Sequence, residues 1–389
     1  LVGSEMCIRD RANLQPVAAA MLTRGTKTMT RSEIEDRMTE LKMAGSITNF
    51  TTTRKNLPAA LELVFDAMHN SIMPQDEFDQ FKKQMQVMIE SMRDKPDALA
   101  QNAITQHFNT YPKGDPRYEY SLDESLEQLN KLTVDQVRAF YKEFGGTSRG
   151  EISIVGDFDP KTVETIIRDD YAKYVSKAHY APVVTEYRPV KATRVVIDTP
   201  DKENAIIVAR SVFPINDTAP DAPALTVANW ILGGGTGLSN RLIERLRQKE
   251  GLSYGAGSHV RIPAKGDNGS FVFRAIVAPQ NMLQAEASAR DVIAKAIKDG
   301  FTDQEVEEAK KGLLQAMQVA RSQDDVVARS WNDKMENQRT WVFSKKQAEA
   351  ISKLTTADVN AALRKYIKPD EITFVLAGDQ KKAAQKKQD

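Results

Sequence analysis

Four histidines stand in this 389-residue chain, His69, His107, His179 and His259. They are too far apart to form a metal cluster, which needs ligands at short, regular spacings. His69 and His107 fall in helical text, where a histidine is more often a satisfied partner than a ligand, and His259 follows the strand of Tyr254 and reads as structural. The single cysteine, Cys7, is not credible as a nucleophile, and no G-x-S-x-G elbow occurs, so other hydrolase mechanisms find no support. Gly233-Gly234-Gly235-Thr236-Gly237 suggests a phosphate loop, but Leu238 occupies the place of the third glycine in G-x-G-x-x-G and the P-loop lysine is missing. It reads as a loop joining two helices. On spacing alone, Arg247 and Tyr254 in LRQKEGLSY are a surface arginine and a tyrosine capping a strand.

The elements that position these residues come in two copies. Lys131-Leu132-Thr133, Val137 and Ile152-Ser153-Ile154-Val155-Gly156-Asp157 return as Lys353-Leu354-Thr355, Val359 and Phe374-Val375-Leu376-Ala377-Gly378-Asp379, 222 residues later. Each copy reads as a short amphipathic helix, N-capped by its threonine, then a buried strand. Glu77 and Lys82-Lys83 match Glu305 and Lys310-Lys311 at 228, the slip of six being a loop-length difference. A long-period repeat of this kind sets the domain count at two. Periodicity places helices near 31–44, 57–68, 75–92, 99–108, 222–232, 240–250, 284–298 and 303–321, and strands at 193–197, 204–209 and 270–277. The expected fold class is α+β: two homologous domains, each a mixed, mostly antiparallel sheet packed against helices. The first spans 12–175, a linker 176–192, the second 193–379, and a basic tail 380–389 is expected to be disordered.

Residues 1–11, LVGSEMCIRDR, resemble the translation of a sequencing adapter; without them the protein has no cysteine. Domain two runs about forty residues before its Gly233 turn, whereas Arg24-Gly25-Thr26 comes only fourteen after residue 11. The first domain is therefore expected to be truncated at its front, without its opening strands. Hydrophobic content is 41% and charged content 28%, with net charge +1. That balance gives no electrostatic reason for a nucleic-acid or membrane partner, and no run reaches the ~18–20 apolar residues of a membrane span.

The duplicated unit resembles the pitrilysin/insulinase family of zinc metallopeptidases, the inverted H-x-x-E-H zincins. The segments that carry the likeness are Met21-Leu22-Thr23-Arg24-Gly25-Thr26-Lys27 before Glu33-Ile34-Glu35, Leu232 to Gly235 before Ser239-Asn240-Arg241-Leu242, and Leu246 to Tyr254. The resemblance implies paired α/β domains whose two halves close like a clamshell over an unfolded peptide. In active members the zinc motif sits just ahead of the Gly-Thr turn; here its five places fall on Pro16-Val17-Ala18-Ala19-Ala20, and no displaced H-x-x-E-H occurs. Without two imidazoles and a carboxylate these positions hold no metal and activate no water. Glu90 lies roughly where the family places a third ligand, but reads as a solvated helix glutamate. The family's Arg/Tyr pair, in the domain facing the zinc, corresponds to Arg247 and Tyr254. It implies contact with the substrate backbone and the developing oxyanion, a role that suits paired guanidinium donors and a phenol.

The resemblance therefore implies the C-terminal, non-catalytic half of such a peptidase, or a separate subunit. It binds no zinc itself and is partnered by a zinc-bearing half or homologous active subunit and by a peptide substrate. The alternative is a structural subunit of the same fold, as among respiratory-complex core proteins. A bacterial periplasm or envelope is the expected location.

Overall fold

The computed structural model describes residues 14–148, 150–176, 178, 181–235 and 240–384. Cys7 and the adapter-like stretch, His179, Thr236–Ser239 and the last five residues lie outside them.

The first unit is largely helical. α1 (Leu14–Met21) buries Leu14, Val17, Ala18 and Met21, one face at helical spacing, against later helices. α2 (Arg31–Glu40) starts in a reciprocal cap: Glu33 N donates to the Thr30 hydroxyl while Thr30 N donates to the Glu33 carboxylate. A short hairpin, β1 (Ala44–Ser46) and β2 (Asn49–Thr51), follows. Then come α3 (Leu57–Asn70), α4 (Gln75–Met92), α5 (Pro96–His107), α6 (Leu122–Lys131), α7 (Val134–Phe144) and α8 (Pro160–Asp169). Phe78, Val137 and Phe140 lie at the centre of their shared core.

The second unit carries the sheet. β3 (Arg194–Asp198) and β4 (Ala205–Pro214) open it. α9 (Ala222–Asn229) runs into a π-helical turn, Trp230–Gly234, and α10 (Arg241–Ile243) into another, Glu244–Lys249. β5 (Ser253–Arg261) and β6 (Asn268–Val277) precede α11 (Met282–Asp299), α12 (Asp303–Ala320), α13 (Asp324–Glu336), α14 (Trp341–Lys353) and α15 (Thr356–Tyr366). β7 (Thr373–Gly378) then inserts between β3 and β4, giving the order β3-β7-β4-β6-β5 with only β3 and β7 parallel. This is the expected mixed, mostly antiparallel sheet.

Side chains alternate across a strand, so the sheet has two faces to cover. Ile207, Phe271, Phe273 and Leu376 point into the helical layer of the second unit. Ile206, Val208, Val375 and Ala377 point the other way, where Ala100 and Ile104 of α5 cover them. A helix of the first unit thus closes the second unit's sheet.

The repeated residues turn out to be fasteners. Lys82 Nζ donates to Asn130 O (2.7 Å) and Leu132 O (2.9 Å) at the end of α6, and Lys310 Nζ donates to Leu354 O (2.9 Å) at the end of α14. Arg241 Nε meets Glu305 at 2.7 Å, and Arg31 meets Glu77 at 3.6 Å. Thr133 and Thr355 cap α7 and α15 in matching capping boxes.

Two expectations need correcting. Ile152–Asp157, read as a buried strand, has no regular structure, and Ile152 is 42% exposed. Its counterpart β7 is a strand because β3 and β4 flank it and pair its backbone; nothing among the described residues does this for 152–157, and an unpaired strand is not stable in water. Second, Gln380–Ala384 forms a helix, α16, where disorder is expected; Asp379, itself buried, accepts from Lys382 N at 3.0 Å. Residues 181–192 take no regular structure but are tied down on both sides. Arg188 donates to Thr110 O, Arg117 to Val184 O, and Tyr187 N to Asp267, while Tyr111 is sandwiched between the two guanidiniums.

Candidate substrate-binding site

Arg247 and Tyr254 are both presented outward by a turn that is locked from within. Leu246 and Leu252 are buried on either side of it, and Leu252 N donates to Leu246 O at 2.8 Å. Gly251 takes φ +61, the left-handed conformation that costs glycine least. Arg245 pairs with Glu250, whose other oxygen accepts from Ser288 of α11 at 2.6 Å. The ion pair of Arg241 and Glu305 ties the start of this helix to α12. The Arg247 side chain takes no part in the network; it is exposed and makes no hydrogen bond or ion pair among the described residues.

Tyr254 is exposed for a different reason. β5 pairs with β6 through Ser253↔Val277 and Gly255↔Ile276, so Tyr254 is an extra residue in a β-bulge. The Ser253 hydroxyl closes the bulge, lying 2.7 Å from Gly255 O and 2.9 Å from Ile276 O and accepting from Gly255 N at 3.1 Å. Ser253 is buried while Tyr254 is 66% exposed, the most exposed large hydrophobic side chain among the described residues. The structure brings the two site residues onto one short turn and strand, with no hydrogen bond between them. β5 is also the outer strand of the sheet, so one row of its backbone donors and acceptors faces away from β6.

Behind β5 lies a polar lock that sequence reasoning missed. The Ser258 hydroxyl donates to Asn229 Oδ1 at 2.8 Å, and Asn229 Nδ2 lies 3.4 Å from Ser258 O, both residues buried. Gly233 fits against the same strand so closely that a Cβ there would stand 2.5 Å from Ser258 Oγ. The described part of the Gly233–Gly237 motif is thus a close approach of backbone to β5. No local signal marks Asn229 and Ser258, because their partnership spans 29 residues.

The zinc-motif places do not fit a metal. Pro16–Ala20 lie in α1, where Val17 and Ala18 are core residues, and none has a ligand atom. Glu90 is exposed and pairs with Arg93 at 3.1 Å, as a solvated helix glutamate does. No group of three metal-binding side chains occurs among the described residues. His69 stacks on Phe65, His107 Nε2 sits 2.9 Å from Lys191 O, and His259 is exposed on β5. No described helix is long and apolar enough to cross a membrane. The site therefore offers the hydrogen-bond donors of Arg247 and Tyr254 beside the outer strand β5, whose far end is packed by Asn229 and Gly233.

Comparison with known proteins agrees. Residues 131–313 match the model of the peptidase M16 inactive domain. An uncharacterized zinc protease of Mycobacterium bovis is 24% identical over 299 residues, 74% of this chain and 66% of the relative. The non-peptidase homolog YmxG of Helicobacter pylori is 22% identical over 262 residues, 66% of this chain and 58% of the relative. The chain thus spans less than two thirds of the length of these curated relatives. Among solved structures, a peptidase M16 inactive domain from Pseudomonas fluorescens superposes with a TM-score of 0.81 at 21% identity, over 97% of this chain and 90% of that one. The periplasmic protease PqqL of Escherichia coli does so with 0.67 at 14% identity, over 96% of this chain but 42% of that one. Residues 131–313, less than half of the chain, thus match the peptidase M16 inactive-domain family.

Proposed function

We propose that this chain is the C-terminal, non-catalytic half, or a separate partner subunit, of a pitrilysin-like zinc metalloendopeptidase. Zinc is held by the other half. This half closes the chamber over a peptide and contacts it through Arg247 and Tyr254. One observation carries the reading: both side chains stand outward on an internally braced turn and bulge of the outer strand, in a chain whose own zinc places are proline, valine and alanine. Arg247 can give paired hydrogen bonds to peptide carbonyls, and Tyr254 one more to an oxygen gaining charge. Likeness to a periplasmic protease supports the periplasm as the location.

The test is to assay peptide hydrolysis by this chain, by a homologous zinc-bearing half, and by their mixture. Activity confined to the mixture, and reduced by Arg247→Ala, is the expected result. The name of the Helicobacter pylori relative, a non-peptidase homolog, favours a second reading as a structural subunit. In that case Arg247→Ala leaves the rate of the mixture unchanged.

A further inference from the structure

Arg210 is a half-buried guanidinium that no carboxylate answers among the described residues. Others in the second unit are answered: Arg194 by Glu286 at 2.8 Å, Arg241 by Glu305 at 2.7 Å and Arg339 by Asp217 at 2.8 Å. Arg210 makes no hydrogen bond or ion pair among the described residues, and its Nε is buried without an acceptor, a condition that protein interiors rarely leave unfilled. It stands on β4 in line with Ile206 and Val208, on the face that α5 covers, but α5 ends at His107. Phe108 takes over there, with the guanidinium 4.8 Å from the centre of its ring. The ring offers a cation–π contact but no oxygen for the edge donors. The neighbouring strands align Arg210 with Val272 and His259, and Val212 with Ser270 and Arg261. Residues opposite one another share a face, so His259 and Arg261 stand on the side of Arg210. The Arg261 side chain is exposed and makes no hydrogen bond or ion pair among the described residues. Burial, and then the charge of Arg261, hold the Arg210 guanidinium below its ordinary value, only partly offset by Glu119.

We infer that Arg210 and Arg261 form a carboxylate-binding subsite for an acidic residue of a bound peptide. The inference rests on the peptide-binding reading above and adds a preference to it. β5 joins the two places, with Tyr254 near its start and Arg261 at its end, seven residues on. Between them, the side of β5 that carries His259 and Arg261 is made of Gly255 and Gly257, and a Cβ on Gly255 would meet nothing within 4 Å. Ala256 and Ser258 point the other way, into the helical layer. An extended chain advances about 3.3 Å per residue, in step with the strand it lies along. A peptide touching Tyr254 therefore crosses this bare stretch and brings a side chain about seven positions away to the guanidiniums. There Arg210 can give Nε–H and a terminal N–H to the two oxygens of one carboxylate, and Arg261 adds a second positive charge.

The test is equilibrium binding, which needs no hydrolysis. Fluorescently labelled peptides of alanine and serine, long enough to span Tyr254 to Arg261, carry a single Glu or Gln, placed at each end in turn, and anisotropy reads their affinity for the whole chain. The expected result is that the Glu peptide of one orientation binds roughly tenfold tighter than its Gln twin, as for a charge-assisted pair of hydrogen bonds. Arg210→Gln should abolish that preference, and Arg210→Lys, which keeps the charge but not the paired donors, should reduce it. Should Arg210→Gln fail to fold, Arg261→Gln at an exposed position must still lower the preference severalfold. Equal binding of Glu and Gln peptides overturns the inference and leaves the peptide-binding reading standing; no binding of either overturns both. A preference that survives these variants also overturns it. Acetate and inorganic phosphate, each titrated alone while the Nε–H resonance of Arg210 is followed, separate the sources of the anion. A response to phosphate without any Glu preference would make this a site for free anions and overturn the peptide subsite; a response to acetate alongside the preference is the expected outcome.

Discussion

Tyr254 owes its exposure to a single extra residue. Were β5 in unbroken register with β6, position 254 would pair across the ladder like its neighbours; the bulge between Ser253 and Gly255 releases it. Tyr254→Phe should therefore leave the thermal midpoint unchanged, because the phenol contributes nothing to the core. In the reconstituted peptidase it should lower kcat on the order of 10²-fold, as when one preorganised donor to a developing oxyanion is lost; an unaltered kcat would remove Tyr254 from the reaction. Ser253→Ala acts through the fold instead, since it takes the hydroxyl out of the bulge and should cost about 1 kcal/mol in denaturant unfolding. The pair was singled out in the sequence by its flanking text, LRQKEGLSY, and not by its spacing. The bulge was not, because side-chain alternation carries no mark of an inserted residue.

At the level of elements, the residues that revealed the duplication are those that hold helices together. Lys310 is buried, and its amine answers the carbonyl of Leu354 and the carboxylate of Glu307. Lys310→Met keeps the aliphatic stem but leaves both acceptors unanswered, and should destabilise the second unit by about 1–3 kcal/mol, read as a lower urea midpoint with an unchanged slope. The repeat was legible because such a fastener needs a particular side chain at a particular place. The packing of α5 on the second sheet was not: Ala100 and Ile104 announce one apolar face, but the strands they cover lie far along the chain, in the second unit. Ile104→Ala opens a cavity under that face and should cost about 2–4 kcal/mol. Residues 152–157 misled for the converse reason. Their apolar run is the text of a buried strand, but a strand exists only where neighbours pair with it.

Across the whole molecule, acid should loosen both units, because the carboxylates that hold them are depressed below their ordinary value. In the first unit, Glu124 is lowered from 4.5 to about 2, chiefly by the backbone N–H of Ser121 and then by Lys113. In the second, burial works against ionised Glu286 and Glu305, but the guanidiniums of Arg194 and Arg290, and of Arg241, outweigh it and leave both lowered. A carboxylate with a folded-state pKa below its unfolded one binds fewer protons when folded, so its contribution is complete above the unfolded value and disappears as pH falls through the folded one. Unfolding free energy should then hold level above about pH 5 and decline between roughly 4.5 and 2. Glu124→Gln should flatten the lowest part of that decline, and Glu305→Gln should lower stability at neutral pH while making the acid limb shallower. Urea midpoints measured against pH for the three proteins decide the matter: parallel acid limbs would mean that these pairs do not carry the acid sensitivity of the fold.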